Sequence, residues 1–350
     1  MKTLLFFGEL PPKVNHGVSI SNKRVLEDLS DRFEIISIED ESSFKPGVTK
    51  IINIFRSLLR LLKNNCKNID IFYLNCPVSL LGLIKNMLII LIVKFKWKNV
   101  SVVSHLHRGD VGVFLDSYTS KKFFDIYYNV LDQMLVLSHS VIKELVSRGY
   151  NKEKLSILYN SVDENFLAYA NANLDDDPFN SYYLSLSNYI PTKNLVTTLE
   201  FFKLNSESSI QCYGSSDGDY CNVLKDKYSS RNIFINGPVY DGDKNNKIRS
   251  AKAMLISSKN EGMPLVILEA LALGTPVICY DVGCIKEYLG HDYPGLVTEL
   301  TDEAFFRKIS WLNSLSFTDY LSLKTHSTQV FWDNFSPKAI RAETIKIFSK

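Results

Sequence analysis

Two short apolar runs, Ala253–Ile256 and Val277–Tyr280, bracket a polar loop, an apolar stretch long enough for a helix, and a Gly274-Thr275-Pro276 turn. This order most constrains the fold. Strands joined through a crossover helix run parallel, and a parallel sheet needs helices on both faces. The same alternation fills the chain. Strands are expected at Thr3–Phe7, Glu34–Ser37, Ile69–Leu74, Val100–His105, Met134–Leu137 and Leu155–Leu158, with helices at Ser19–Leu29, Ser79–Val93 and Ser140–Arg148. A second series follows at Tyr183–Leu186, Ile210–Tyr213, Ile233–Ile235, Ala253–Ile256, Val277–Tyr280 and Leu296–Val297, and a helix closes the chain at Lys338–Phe348.

Two series in 350 residues predict an α/β protein of two doubly wound domains. The expected boundaries are 1–165, 166–335 and a last helix, 336–350, that packs back on the first domain. The polar stretch Ala170–Asn180, with Asp175-Asp176-Asp177 and Pro178, reads as the linker. Doubly wound halves of this kind hold a ligand at the carboxyl ends of their strands, in a cleft between them.

Composition excludes several function classes. The six cysteines are scattered with no CxxC pair, so they read as reduced thiols rather than a disulfide frame or zinc site. Met1–Gly8 reads as a buried strand, because it lacks the long apolar region and cleavage site of a signal peptide. The net charge of +2 comes with no reading motif, which argues against nucleic acid. Charge is nevertheless uneven. Residues 50–98 hold nine bases and one acid, Asp70. Arg56, Arg60, Lys63 and Lys67 recur three or four apart, on one helix face. Leu58, Leu59, Leu61 and Leu62 are expected to cover the other side. This segment reads either as a buried helix with solvated basic ends or as a surface for anionic lipid. The apolar run 87–93 is too short to span a bilayer.

The chemistry concentrates in Ser257–Glu269, Ser-Ser-Lys-Asn-Glu-Gly-Met-Pro-Leu-Val-Ile-Leu-Glu. Glu261 is expected where a strand ends, and Gly262 allows a close turn. Pro264 suits the first turn of a helix, where its missing N–H is an orphan anyway. The free N–H groups of that turn form an anion site, and Glu269 follows about two turns on. Carboxylates accept from sugar hydroxyls.

The stretch "SSKNEGMPLVILEALALGTPVICYDVG" resembles the donor signature of the GT-B retaining glycosyltransferases of family 4. The resemblance implies a GT-B fold, two Rossmann-like domains facing across a cleft. It also implies transfer of a hexose from a nucleotide-diphosphate sugar, with retention and without a metal or other cofactor. "YLSLSNYIPTKNL" is similar to the segment that usually carries Gly-Arg and Lys-Gly. Lys193 then stands at the phosphate-binding lysine and Asn188 at the usual arginine, whose charge it cannot replace. Either Lys193 and the helix start carry the diphosphate nearly alone, or another base reaches in.

The same resemblance assigns Glu261 to the sugar hydroxyls and Glu269 to the ribose. The N–H groups around Gly262, Met263, Pro264 and Leu265 go to the phosphates, and Gly214 and Val239 to the base. "LPPKVNHGVSISN" is similar to the glycine loop, with Gly17 kept and His16 in place of a second glycine. "VVSHLHRGD" is similar to the strand end whose histidine faces the donor sugar; His107 is the first candidate and His105 the alternate. "LYNSVDENF" is similar to the Asn-Gly-Val-Asp segment at the domain junction, with Ser161 in place of the glycine. Glu261, His107 and Lys193 are thus the expected catalytic set.

Asp217-Gly-Asp219 and Asp241-Gly-Asp243 match an Asp-x-Asp pattern, but both sit where turns favour Asp and Gly. The expected acceptor is a saccharide, oligosaccharide or polyprenyl-diphosphate-linked, in surface-polysaccharide or O-antigen synthesis. The expected location is cytoplasmic, peripheral on the inner membrane face. The alternatives are a nucleotide-sugar epimerase of the same fold and a non-catalytic GT-B partner protein.

Overall fold

Among the described residues, twelve short strands form two six-stranded, wholly parallel sheets. The computed structural model describes the chain apart from residues 15, 41–46, 64–65, 67, 164–165, 168–178, 180, 217 and 350, and the backbone alone at 47–51. Lys67, Asp217 and nearly all of the linker expected over 170–180 therefore fall outside the described residues. Contacts divide the chain into two units, Met1–Asn160 with Lys338–Lys350, and Ser161–Pro337.

The first unit holds β1 (Lys2–Gly8), β2 (Phe33–Glu39), β3 (Ile71–Asn75), β4 (Ser101–Leu106), β5 (Gln133–Val136) and β6 (Leu155–Ile157), in the order β2-β1-β3-β4-β5-β6. Strands this apolar run through the middle of a covered sheet. Leu4, Phe6, Tyr73 and Leu135 share a core with Leu26 and Leu29 of helix Gly17–Leu29. Ile340, Ile347 and Phe348 of the last helix, Pro337–Ser349, close that core.

The second unit holds β7 (Tyr183–Leu186), β8 (Ile210–Tyr213), β9 (Ile233–Asn236), β10 (Ala253–Ile256), β11 (Val277–Tyr280) and β12 (Leu296–Val297), ordered β12-β11-β10-β7-β8-β9. Counted within the unit this is 3-2-1-4-5-6, the order of dinucleotide-binding sheets. The order reverses between β7 and β10, and there the loops diverge and leave a crevice.

Three sequence expectations need correction. Glu261 does not end a strand: β10 stops at Ile256 and Glu261 lies five residues on, in the loop. Pro264 stands not within the first turn but immediately before it, as the N-cap of helix Leu265–Ala272, with ψ at 122°. The leucines of helix Gly47–Lys63 do not cover its inner side together. Leu61 is buried with Asn53 and Ser57, whereas Leu59 and Leu62 face outward with Arg56, Arg60 and Lys63. A buried stripe at every fourth residue is narrower than a run of four leucines suggests. The six cysteines are thiols, not disulfides.

Candidate active site

The switch point of the second sheet gathers most of the expected residues. The loop after β7 carries Ser187 to Lys193, and the loop after β10 carries Ser257 to Pro264. Lys193 ends a single 3-10 turn, Pro191–Lys193. Asn194 then takes the left-handed conformation, with φ at 50°, and its amide donates to the carbonyl of Ser257. Asn tolerates this conformation better than most residues. Ser257 Oγ in turn donates to the Asn194 carbonyl at 2.8 Å, so the two loops are stitched together.

That stitching brings Lys193 Nζ to 2.7 Å from Glu261 Oε1. Both side chains are largely shielded from water. The Glu261 backbone is fixed from the other side by Gly283. A Cβ there would lie 1.8 Å from the Glu261 carbonyl oxygen, and its φ of +57° also favours glycine. Gly214 has a similar reason: its Cβ would meet the Ser187 carbonyl at 2.0 Å. Gly214 thus lets the end of β8 approach the loop that carries Asn188. Asn188 itself is exposed and accepts from Ser215 Oγ at 2.9 Å. It faces the neighbouring loop as a hydrogen-bonding group, without charge.

Helix Leu265–Ala272 is apolar on all sides and buried, which makes Glu269 its one ionisable side chain. Such a helix is placed by burial, so the carboxylate it carries has a fixed position. Lys244 Nζ, from helix Asp241–Arg249, lies 2.7 Å from Glu269 Oε1. The other oxygen, Oε2, is buried with no partner among the described residues. A buried carboxylate oxygen without a donor is costly, and a ligand hydroxyl would satisfy it.

Two lysine–glutamate pairs therefore flank the start of helix Leu265–Ala272, whose first N–H groups lack intrahelical partners. Met263 is buried, and Gly262, Pro264 and Leu265 are partly so. Pro264 has no N–H, so the donors of this turn come from its neighbours. Val239 is half-buried in the loop between β9 and helix Asp241–Arg249. Lys244 was missed by sequence reasoning. It sits in the polar run Asp241–Arg249, where a lysine reads as solvated. The clue available was the missing arginine, which asked for a second base.

The residues expected from the first half stand together at the carboxyl ends of β1, β3 and β4. Asn22 and Asn75 exchange reciprocal amide hydrogen bonds at 2.9 and 2.8 Å, and Asn22 also donates to the Glu9 carbonyl. His16 caps helix Gly17–Leu29: Nδ1 accepts from the N–H groups of Val18 and Ser19. That assigns the ring proton to Nε2, 2.6 Å from Glu9 Oε2. Gly17 opens the helix, and a Cβ there would meet nothing within 4 Å.

The two candidate histidines separate. His105 is 1% exposed and bonded through Nδ1 to the Tyr73 hydroxyl at 2.9 Å, a core histidine. His107 is half-buried beside it, ring centroids 3.9 Å apart, and its Nε2 has no partner among the described residues. Burial, and then the neighbouring His16 ring, lower the His107 pKa to about 3. Burial, followed by His107, holds His105 well below the usual histidine range. Both rings are neutral at physiological pH. Among the described residues no three His, Cys, Asp or Glu side chains gather as a metal site.

Residues 173–320 match the model of the glycosyl transferases group 1 family. Over 216 residues the chain is 24% identical to N-acetyl-alpha-D-glucosaminyl L-malate synthase of Bacillus anthracis, covering 59% of this chain and 56% of that protein. Over 86 residues it is 30% identical to the putative teichuronic acid biosynthesis glycosyltransferase TuaC of Bacillus subtilis strain 168, covering 25% of this chain and 22% of that one. The chain thus matches about half the length of the first relative and less of the second. Among solved structures, Anabaena Alr3699/HepE in complex with UDP and glucose superposes with a TM-score of 0.74 at 13% identity, over 99% of both chains. The sucrose-phosphate synthase of Thermosynechococcus elongatus superposes with a TM-score of 0.76 at 13% identity, over 99% and 98%. Likeness at this identity shows the fold: the two units carry the GT-B fold of glycosyltransferases.

Proposed function

We propose, from the glycosyl transferases group 1 match over residues 173–320, that the protein is a retaining hexosyltransferase using a nucleotide-diphosphate sugar. The observation that carries this reading is the pair of lysine–glutamate contacts flanking one helix start at a sheet switch point. A diphosphate would displace Glu261 from Lys193 and take its place against the ammonium and the helix N–H groups. Glu261 would then be released toward the sugar hydroxyls. Glu269, with Oε2 open, would accept from the ribose hydroxyls, and Lys244 would hold its other oxygen.

In the transfer, the bond from the anomeric carbon to the phosphate oxygen breaks while the acceptor oxygen bonds to that carbon from the same side. The acceptor proton passes to the departing diphosphate. Lys193 stabilises the charge that develops there, an electrostatic role that needs no metal. Neutral His107, with a free Nε2, orients the sugar. The acceptor in this reading is a lipid-linked saccharide of surface-polysaccharide or O-antigen synthesis, met at the inner face of the cytoplasmic membrane. The teichuronic acid relative and the basic first half support it.

The test is a thermal-shift panel of UDP, GDP, CMP and their sugars on the wild type and Glu269→Ala. UDP comes first because the HepE structure holds UDP and glucose. One nucleotide is expected to raise the melting point; at a hundredfold excess over Kd the stabilisation is about 2.7 kcal/mol. Glu269→Ala should abolish the shift. Folded wild-type protein that shifts with no nucleotide would sink the proposal.

A further inference from the structure

The first unit carries an outward face that its own core does not explain. Helix Gly47–Lys63 buries Asn53, Ser57 and Leu61, yet a second apolar stripe, Ile52, Phe55, Leu59 and Leu62, stands in solvent. Phe55 is 63% exposed. Helix Leu80–Lys96 repeats the arrangement. It buries Leu83, Asn86, Ile89, Ile90 and Val93, and presents Leu81, Leu88, Leu91 and Phe95 outward, the last 89% exposed. Both stripes recur at three, four or seven residues, the spacing of one helix face. A surface helix of a globular domain needs only one apolar stripe, and large exposed apolar patches mark interaction sites.

The two helices are neighbours. Lys96 Nζ donates to the carbonyls of Leu61 at 3.2 Å and Leu62 at 2.8 Å, which ties their carboxyl ends together. Neither helix contains an Asp or a Glu. Arg56, Arg60, Lys63, Lys94 and Lys96 lie on them, with Lys98 just beyond. Lys85 turns inward to pair with Asp40, and Lys94 lies 3.5 Å from Asp132, which leaves Arg56, Arg60, Lys63 and Lys98 as the exposed bases.

We infer that this face of helices Gly47–Lys63 and Leu80–Lys96 seats the protein on an anionic lipid bilayer, with the apolar stripes inserted at the headgroup boundary. Charge complementarity chooses the occupant. A second copy docked through the same patch would oppose the same bases, with no acid in either helix to answer them. Nucleic acid would meet the bases but leave Phe55, Phe95 and the leucines in water. A bilayer surface offers both negative headgroups and an apolar layer beneath them. No helix among the described residues is long and apolar enough to cross a membrane, so the contact lies in the interface plane. The inference gives the proposed lipid-linked acceptor a place to be met, but its own evidence is independent of the donor site.

The experiment is vesicle flotation of the full chain, without nucleotide, on phosphatidylcholine alone and on phosphatidylethanolamine with phosphatidylglycerol. At least tenfold stronger binding to the anionic vesicles is expected, weakening with salt. Phe95→Ser with Phe55→Ser should lower binding at least tenfold even at low salt, and Arg56→Gln with Arg60→Gln should remove the anionic preference. Circular dichroism melting checks that each variant is folded; these side chains are exposed, so both should melt like the wild type. Equal binding to both vesicles, no binding, or loss of a dimer in Phe95→Ser by light scattering would each overturn the inference. Nucleotide binding, measured without vesicles, reports separately on the donor site.

Discussion

The two sheets hold different kinds of polar group at their switch points. In the second unit, between β7 and β10, the groups are charged and paired, Lys193 with Glu261 and, on the helix after the second loop, Glu269 with Lys244. In the first, around β1, β3 and β4, neutral groups surround a carboxylate contact, His16 with Glu9: an Asn22–Asn75 amide pair, a His105–Tyr73 contact and the open Nε2 of His107. One parallel architecture therefore offers two chemistries. Fixed ammonium groups suit a diphosphate, whose charge changes during reaction. Neutral donors and acceptors suit hydroxyl groups, which need orientation rather than charge. The difference lies in the loops after the strands, where sheet order opens a crevice and leaves side chains free to vary.

The sharpest way to break this contrast is to neutralise the charged end. Lys193→Met should lower kcat by roughly 10²–10³, the usual loss of one oxyanion-stabilising donor. A steady-state assay with the nucleotide sugar identified by thermal shift measures it. A tenfold or smaller loss would mean that the lysine only holds Glu261.

A smaller effect tests the neutral end. The His107 pKa is lowered to about 3, whereas the unfolded ring titrates near 6.5. Between those values the unfolded chain binds the extra proton, so stability is complete above about pH 6.5 and falls as pH drops toward 3. The slope is about 1.4 kcal/mol per pH unit for one proton. Urea melts at pH 7, 6 and 5 should show it; because His105 is held low as well, His107→Asn should reduce the slope by about half rather than abolish it. An unchanged slope in that variant would remove His107 as its source.

The smallest effect separates the two pairs. Lys244→Met should raise KM for the nucleotide sugar by about threefold to tenfold and leave kcat nearly unchanged, since it acts through Glu269 on binding. Lys244→Arg should restore much of the affinity. A fall in kcat with KM constant would instead put Lys244 on the reacting phosphate.

The strands were legible because their information is local. Tyr183–Leu186, Ile210–Tyr213 and Val277–Tyr280 are apolar runs bounded by polar or turn residues, and the structure places strands at those residues. The lysine and glutamates of the signature were legible as residue types at a spacing, and Lys193 and Glu261 do meet. Their partnership was not, because 68 residues separate them and no local rule measures that distance. Lys244 illustrates the same point: a lysine in a polar helix reads as solvated until the fold sets it against Glu269.

Two further matters belonged to tertiary structure alone. His105 and His107 differ by two positions in one motif and both leave Nε2 without a partner among the described residues, yet His105 is packed in the core against Tyr73 and His107 is only half-buried, because the strand ends between them. Leu59 and Leu62 carry the same apolar signal as Leu61, but only Leu61 meets the core. The amino-acid sequence by itself determined the parallel α/β order and the residue types at the crevice, since both follow from periodicity and turn chemistry. Which charges pair, which histidine is locked in the core and which leucines face outward were decided only when the sheets assembled, because burial is a property of neighbours distant in the chain.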